Sequence, residues 1–240
     1  MRHSATLCLI FTIALSLPAW ASSNREDDVN RIEESAGVFQ EIMSTPDKAI
    51  PEELLDSAQC LAIIPAEKKF AFVVGGNYGK GLVTCRTDKG WSAPLFLTVS
   101  GGSVGFQIGG SSTDLVLVFR GKRGLEKLLS NKFQIGGDAT AAAGPVGRHA
   151  AAGTDIYLHA QILTYSRSRG AFAGISLNGA VVQPDDTGNV AMYGRDSHQE
   201  DILIGKVAVP REATPLVVAV DKATRAGAPS RPPVAPQKSM

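Results

Sequence analysis

The sequence has few cysteines, almost no net charge and no long hydrophobic run, and each of these shortages excludes a class of protein. Only 3 of 240 residues are cysteine and no Cys-x-x-Cys occurs, which excludes a disulfide-dense scaffold and the common zinc sites. The formal net charge of +1 argues against a nucleic-acid binder, which carries a basic surface. Beyond the N-terminal segment, no stretch approaches the length of a membrane-spanning helix.

The first 21 residues have the pattern of a secretory signal peptide. A positive start, Arg2-His3, precedes an apolar segment over residues 7–17, and Ala19-Trp20-Ala21 matches the small-x-small cleavage pattern. The apolar segment is too short to span a bilayer, which disfavours the alternative of an uncleaved anchor. We therefore expect cleavage near Ala21 and a periplasmic or secreted mature protein.

The rest of the chain predicts one domain over residues 22–225 and a disordered, proline-rich tail over residues 226–240. Apolar residues at steps of three and four predict a helix over 27–44, and further helices are expected from Pro51, over 124–130 and over 214–223. Between them, short apolar runs alternate with glycine and predict strands, for which the connections are too short for helical crossovers. The strands are expected over residues 61–64, 70–74, 81–86, 95–100, 104–108, 115–119, 156–164 and 172–177.

These patterns predict an α+β fold, mainly antiparallel, with a glycine-rich twisted sheet or a partly closed barrel or sandwich and a few packed helices. Glycine supplies 25 residues, with no strict repeat. Gly75–Gly81 resembles a phosphate loop, but three residues rather than four separate Gly75 from Gly79. We interpret that segment as a glycine-rich connection between two strands.

The residues favour a non-enzymatic protein without a cofactor or a metal site. Gly101–Gly105 satisfies the G-x-S-x-G pattern of hydrolases, but a strand pattern follows Ser103 where a hydrolase requires a helix. A hydrolase that uses Ser103 remains the third functional hypothesis. Cys60 and Cys85 are expected to form a disulfide in an oxidising compartment, and two buried free thiols are the alternative.

Basic residues occur in clusters that suit phosphate, because lysine and arginine bind lipid phosphates by charge and by paired hydrogen bonds. A solvated rim is the alternative for each cluster taken alone. The candidate lipid-binding or phosphate-binding residues are Lys68, Lys69, Lys80, Lys122, Arg123, Arg148, Arg167 and Arg169.

Several motifs in order resemble the SYLF family over about residues 28–222. The matching segments are Cys60–Pro65, Lys69–Gly81, Trp91–Pro94, Gly101–Gly110, Thr113-Asp114, Gly136–Asp138, Ala143–Arg148 and Tyr165–Gly174. The resemblance implies lipid binding. The chain resembles the bacterial, exported, stand-alone branch of the family. Eukaryotic members join this domain to SH3 or FYVE modules, bind phosphoinositides and work in actin and endocytic systems. No such module is expected in this chain, so actin regulation is not expected to carry over. In those relatives a basic amphipathic N-terminal segment engages the membrane, whereas residues 25–43 here are mainly acidic.

The sequence therefore leads to an exported, non-enzymatic lipid-binding protein that engages phospholipid headgroups at a membrane surface. The alternative is a structural or protein-interaction protein of the cell envelope. The expected partner is a phospholipid or a membrane surface, with an envelope protein as the second partner class and nucleic acid excluded.

Overall fold

A computed structural model describes most of the chain. It covers residues 25–44, 49–71, 74–104, 109–130, 132–145, 160–168, 171–174, 177 and 179–225. It describes the backbone alone for residues 67–71, 74–77, 102–104, 109–112, 122–125, 168 and 171–174. The predicted leader, residues 1–21, and the predicted tail, residues 226–240, both lie outside the described residues.

The helices fall at the two ends of the domain and in the middle of the chain. They are α1 (Arg25–Met43), α2 (Glu52–Asp56), α3 (Gly121–Leu129), α4 (Asp186–Tyr193), α5 (Gln199–Leu203) and α6 (Thr214–Arg225), with a 3-10 turn at Arg211–Ala213. The periodicity in α1 buries Ile32, Ala36 and Phe39 on one face, as predicted. No helix in the described part of the chain is long and apolar enough to cross a membrane.

Ten strands form one sheet in the part of the chain that the structure describes. They are β1 (Ala58–Ala71), β2 (Val74–Thr87), β3 (Gly90–Trp91), β4 (Leu95–Val104), β5 (Gly109–Arg120), β6 (Phe133–Gln134), β7 (Ala141–Ala143), β8 (Ile162–Ser168), β9 (Ala171–Gly174) and β10 (Val181–Pro184). The order is β6-β10-β4-β2-β1-β5-β8-β7, with β3 on β2 and β9 on β8. Strands β7 and β8 pair in parallel, and the other strand pairs are antiparallel. The predicted α+β, mainly antiparallel fold is confirmed.

Strands β1 and β2 are longer than the sequence predicts. The expected break between residues 64 and 70 is a bulge within β1, and Gly75–Gly81 lies inside β2, so its interpretation as a connection is wrong. Backbone pairing explains the difference, because glycine contributes no apolar signal but hydrogen-bonds to both neighbouring strands. At Gly81 a side chain is sterically excluded, since a Cβ atom would lie 2.3 Å from the carbonyl oxygen of Ile63.

The sheet buries both faces and curls into a half-barrel. Leu61 and Ile63 point to one face, which packs against α1, α2 and α6, while Ala62 and Ile64 point to the other, which packs against α3 and α5. The edge strands β6 and β7 are consecutive in the chain and are connected by residues 135–140. Because this connection is short, the two edges of the sheet lie near each other. A bridge between Ile135 and Ala139 lies within that link.

Candidate functional site

Two of the predicted phosphate-binding residues have described side chains, and both are ion-paired within the protein. Lys80 in β2 places its Nζ atom 2.9 Å from an Oδ2 atom of Asp185. Arg167 in β8 donates two hydrogen bonds to Asp114 Oδ2, of 3.0 and 2.7 Å, and also pairs with Glu41. Their charges are therefore largely neutralised before any ligand arrives.

The backbone places other candidates far apart. Lys68 and Lys69 lie in β1 opposite Tyr78 and Asn77 of β2, whereas Lys122 and Arg123 begin α3 just after Arg120, the partner of Ala58 at the other end of β1. Ten residues separate Ala58 from Lys68, which is roughly 30 Å along a strand. The structure thus distributes these cations over two regions of the sheet. Arg148 and Arg169 lie outside the described residues.

An open groove of about 480 Å³ lies between α1 and the strands β1 and β2. One face of the helix supplies side chains at three- and four-residue steps, and the strands supply the opposite wall. The lining residues are Asp27, Asn30, Arg31, Glu34, Pro65, Ala66, Tyr78, Gly79 and Lys80. The sequence motifs pointed to Lys80 in this set, but they did not indicate that α1 would lie beside it.

A bulge in β1 shapes the strand wall of the groove. Ala66 has a φ of 50°, the left-handed region that a residue with a Cβ atom adopts only at a cost of about 1–2 kcal/mol. Its N–H donates a hydrogen bond to an Oδ1 atom of Asp114, at 3.0 Å, which stabilises the bulge from the neighbouring strand β5. The strained turn therefore has a defined partner and gives the groove a fixed wall.

A buried ion network holds α1 against the floor of the groove. Arg31, which is 8% exposed, lies 3.1 Å from Asp28 and 3.0 Å from Asp185, and its guanidinium stacks 5.2 Å from the ring centre of Phe96. Lys80 reaches the same Asp185 carboxylate from β2. Four charged groups from α1, β2 and the cap of α4 therefore neutralise one another.

Asp185 stays ionised in this network. Burial alone would raise its pKa, but the hydrogen bond and charge of Lys80, followed by those of Arg31, outweigh burial and lower the pKa below its ordinary value. Asp185 also caps α4, because its side chain accepts a hydrogen bond from the N–H of Gly188. One carboxylate thus links the groove to the last third of the chain.

The remaining polar groups of the groove face solvent. Asp27 and Glu34 are exposed, and within the described residues neither forms an ion pair. Tyr78, which lines the groove, is 47% exposed. The groove therefore presents two unpaired carboxylates and an accessible aromatic ring, a set of groups suited to binding.

A second ion cluster anchors the other end of α1. Arg167 joins Glu41 of the helix to Asp114 of β5, and the hydrogen bond to Arg167 lowers the pKa of Glu41. The same contacts raise the pKa of Arg167, chiefly through the hydrogen bond to Glu41. Arg167 thus positions α1 on the sheet, a role that its place in the sequence did not suggest.

Two other residues singled out in the sequence lie in strands. Cys60 and Cys85 are directly opposite each other in β1 and β2, with Cα atoms 4.0 Å apart, and are joined by a disulfide. Ser103 lies inside β4, opposite Gly75. A hydrolase nucleophile instead occupies the sharp turn between a strand and a helix.

Comparisons with known proteins identify relatives over most of the chain. The family model described as "Ysc84: Las17-binding protein actin regulator" matches residues 100–223. The chain is 34% identical over 206 residues to SH3 domain-containing YSC84-like protein 1 of Bos taurus, which covers 84% of this chain and 60% of that protein. The same protein of Xenopus laevis is 36% identical over 182 residues, 75% of this chain and 54% of the relative. Protein YSC84 of Saccharomyces cerevisiae is 33% identical over 175 residues, 71% of this chain and 37% of the relative.

These relatives correct the predicted location. They come from eukaryotes, and the family is described as an actin regulator, which conflicts with a periplasmic or secreted protein. The predicted periplasmic or secreted location is therefore wrong. The signal-peptide prediction for residues 1–21 lies outside the described residues and stays a prediction. The protein-interaction part of the alternative function agrees with these relatives better than the main prediction of exported lipid binding does.

The motifs quoted from the sequence begin before the segment that the family model matches, and the relatives also match more of the chain than that segment. The chain spans 60% or less of the length of the relatives compared above. The agreement of the family model, the identities and the motif order shows that the chain belongs to the Ysc84 family, also known by its SYLF domain.

Proposed function

We propose that this chain is a non-enzymatic protein-interaction module that binds a component of the actin-regulating machinery. The observation that carries the proposal is the open groove beside α1, where an exposed Tyr78 lies among polar side chains. Accessible tyrosine rings are common at the centres of protein interfaces, because they bury a large area at a small entropic cost. The description of the family as a Las17-binding actin regulator supports the same class of partner.

Charge favours a protein partner over an anionic lipid surface. The exposed side chains of α1 include Glu26, Asp27, Glu33 and Glu34, whereas Arg31 is buried in ion pairs. Lys80 and Arg167, predicted to hold phosphate, are themselves paired with carboxylates. A membrane of anionic lipid would meet repulsion on this side of the molecule.

Sedimentation with actin filaments and capture by immobilised Las17 test the proposal with the full chain. We expect binding to at least one of the two at micromolar concentration, with reduced affinity at high salt if charge contributes. Vesicles of phosphatidylcholine, with and without phosphatidylserine, provide the comparison. Binding to vesicles together with no binding to actin or Las17 would overturn the proposal in favour of lipid binding.

A further inference from the structure

We infer that the groove between α1 and the strands β1 and β2 receives a basic segment of the partner, with two cationic side chains three residues apart. The inference rests on the proposed function, since it names the surface and the chemistry of the partner. It follows from the shape of the groove, from its uncompensated charge and from the position of Tyr78.

The size of the groove fits a short peptide segment. Its volume of about 480 Å³ is within the range of about 300–1,000 Å³ that is usual for binding sites. Because the groove is open along one face of α1, an extended chain can lie along the helix. The lining side chains of the helix span Asp27 to Glu34.

The charge of the groove selects a cationic occupant. Arg31 and Lys80 are neutralised by Asp28 and Asp185, which lie behind the wall. Among the side chains that the structure describes, Asp27 and Glu34 have no such compensation, so the free charge that the described lining contributes is negative. Lys68, which lies opposite Tyr78 in β1, is described by its backbone alone. An anionic ligand would have to approach two exposed carboxylates.

The spacing of the two carboxylates defines the occupant more closely. Asp27 and Glu34 are seven residues apart, which is about 10.5 Å along the helix axis. One metal ion cannot bridge that distance, because calcium ligands lie within about 2.6 Å of the ion. In a polyproline II segment, however, residues three apart lie on the same face at a spacing of about 9.3 Å, so two basic side chains match the pair.

Tyr78 supplies a contact for the aliphatic and cationic parts of such side chains. Tyr78 is part of the strand wall, across the groove from the helix, and the residue is 47% exposed. A guanidinium over a tyrosine face is attracted by the ring quadrupole, and an extended segment can also pack against the ring. The ring and the carboxylates thus act on the same occupant from opposite walls.

Fluorescence anisotropy with two labelled peptides tests the inference on the full chain. One peptide carries Arg-Pro-Pro-Arg between glycines, and the other has both arginines replaced by glutamine. The pair Asp27→Asn and Glu34→Gln should weaken binding of the arginine peptide about fivefold to tenfold, and Tyr78→Ala about threefold. The glutamine peptide should bind weakly to every variant.

The matched control is the pair Glu26→Gln and Glu33→Gln, which removes the same charge from the same helix outside the groove lining. It should change binding of the arginine peptide less than twofold. Equal weakening by the two pairs would mean that only the general acidity of α1 matters, and would overturn the inference. No weakening by the groove pair would overturn it as well.

The outcome separates the inference from the proposed function. If the chain binds actin or Las17 and the groove variants bind as tightly as the wild type, the surface is wrong while the function stands. If the groove variants bind the arginine peptide more weakly but the wild type binds neither actin nor Las17, the inference about the groove is supported and the proposed class of partner is wrong. Thermal unfolding followed by circular dichroism checks that all variants remain folded.

Discussion

Replacing Arg31 with methionine should destabilise the domain strongly, because it breaks a buried ion network. The side chain is 8% exposed and pairs with Asp28, at 0% exposure, and Asp185, at 7%. Methionine keeps much of the packing against Phe96 but leaves buried carboxylates without their arginine. Removing one partner of a buried pair costs about 3–5 kcal/mol. Because Lys80 still neutralises Asp185, we expect a loss near the lower end, about 3 kcal/mol.

The loss should depend on pH in a definite direction. In the wild type the pKa of Asp185 is lowered in the folded state, so its stabilising contribution is present above its unfolded pKa and is lost as the pH falls through the lower, folded value. In the variant Asp185 loses one of the two cations that favour its ionised form, so its folded pKa rises. Protonation of Asp185 then removes its uncompensated charge in the variant. The difference in unfolding free energy between variant and wild type should therefore shrink below about pH 4.

Urea unfolding followed by circular dichroism measures both effects, at about pH 7 and at several values down to about pH 3.5. The control is Arg25→Met, since Arg25 is exposed and its pair with Glu212 lies at the surface. That variant should show no measurable change. A loss below about 1 kcal/mol for Arg31→Met, or a loss that stays constant on acidification, would show that the network does not act as paired buried charge.

Three further predictions concern glycine, a buried amide and the disulfide. Gly81→Ala should lower the free energy of unfolding by about 3 kcal/mol, because the added Cβ atom would lie 2.3 Å from a backbone carbonyl oxygen of β1. Gly37→Ala in α1 should instead raise the free energy of unfolding by about 0.5–1 kcal/mol, because no atom lies within 4 Å of the position of its Cβ. Asn189→Leu should cost about 2 kcal/mol, because it removes the 2.8 Å hydrogen bond to a buried N–H of β4. Reduction of the bond between Cys60 and Cys85, which are 25 residues apart, should cost about 3.5 kcal/mol. Urea unfolding measures all of these, and equal effects at the two glycines would contradict the steric argument.

The fold was predictable where local periodicity reports burial. Helix α1 buries one face, so its apolar residues recur at helical spacing in the sequence. The short apolar runs identify the middle of the strands. The ends of β1 and β2 could not be predicted, because glycine and charged residues there carry no apolar alternation while the backbone still pairs on both sides. The centre of β1 is apolar on both faces because each face has its own core, so alternation is absent there too.

The site could be predicted only in part, because its ion pairs join residues that are distant in the sequence. Arg31 and Asp185 are 154 positions apart, and Lys80 and Asp185 are 105 apart. A cluster of basic residues in a sequence shows only that the residues are present. Binding of an anion requires basic side chains that remain unpaired after folding. Folding places Asp185 beside Lys80, a pairing that the sequence did not reveal. The same folding step leaves Asp27 and Glu34 in the groove without a counter-ion among the described residues, and this observation is the basis for the proposed cationic occupant.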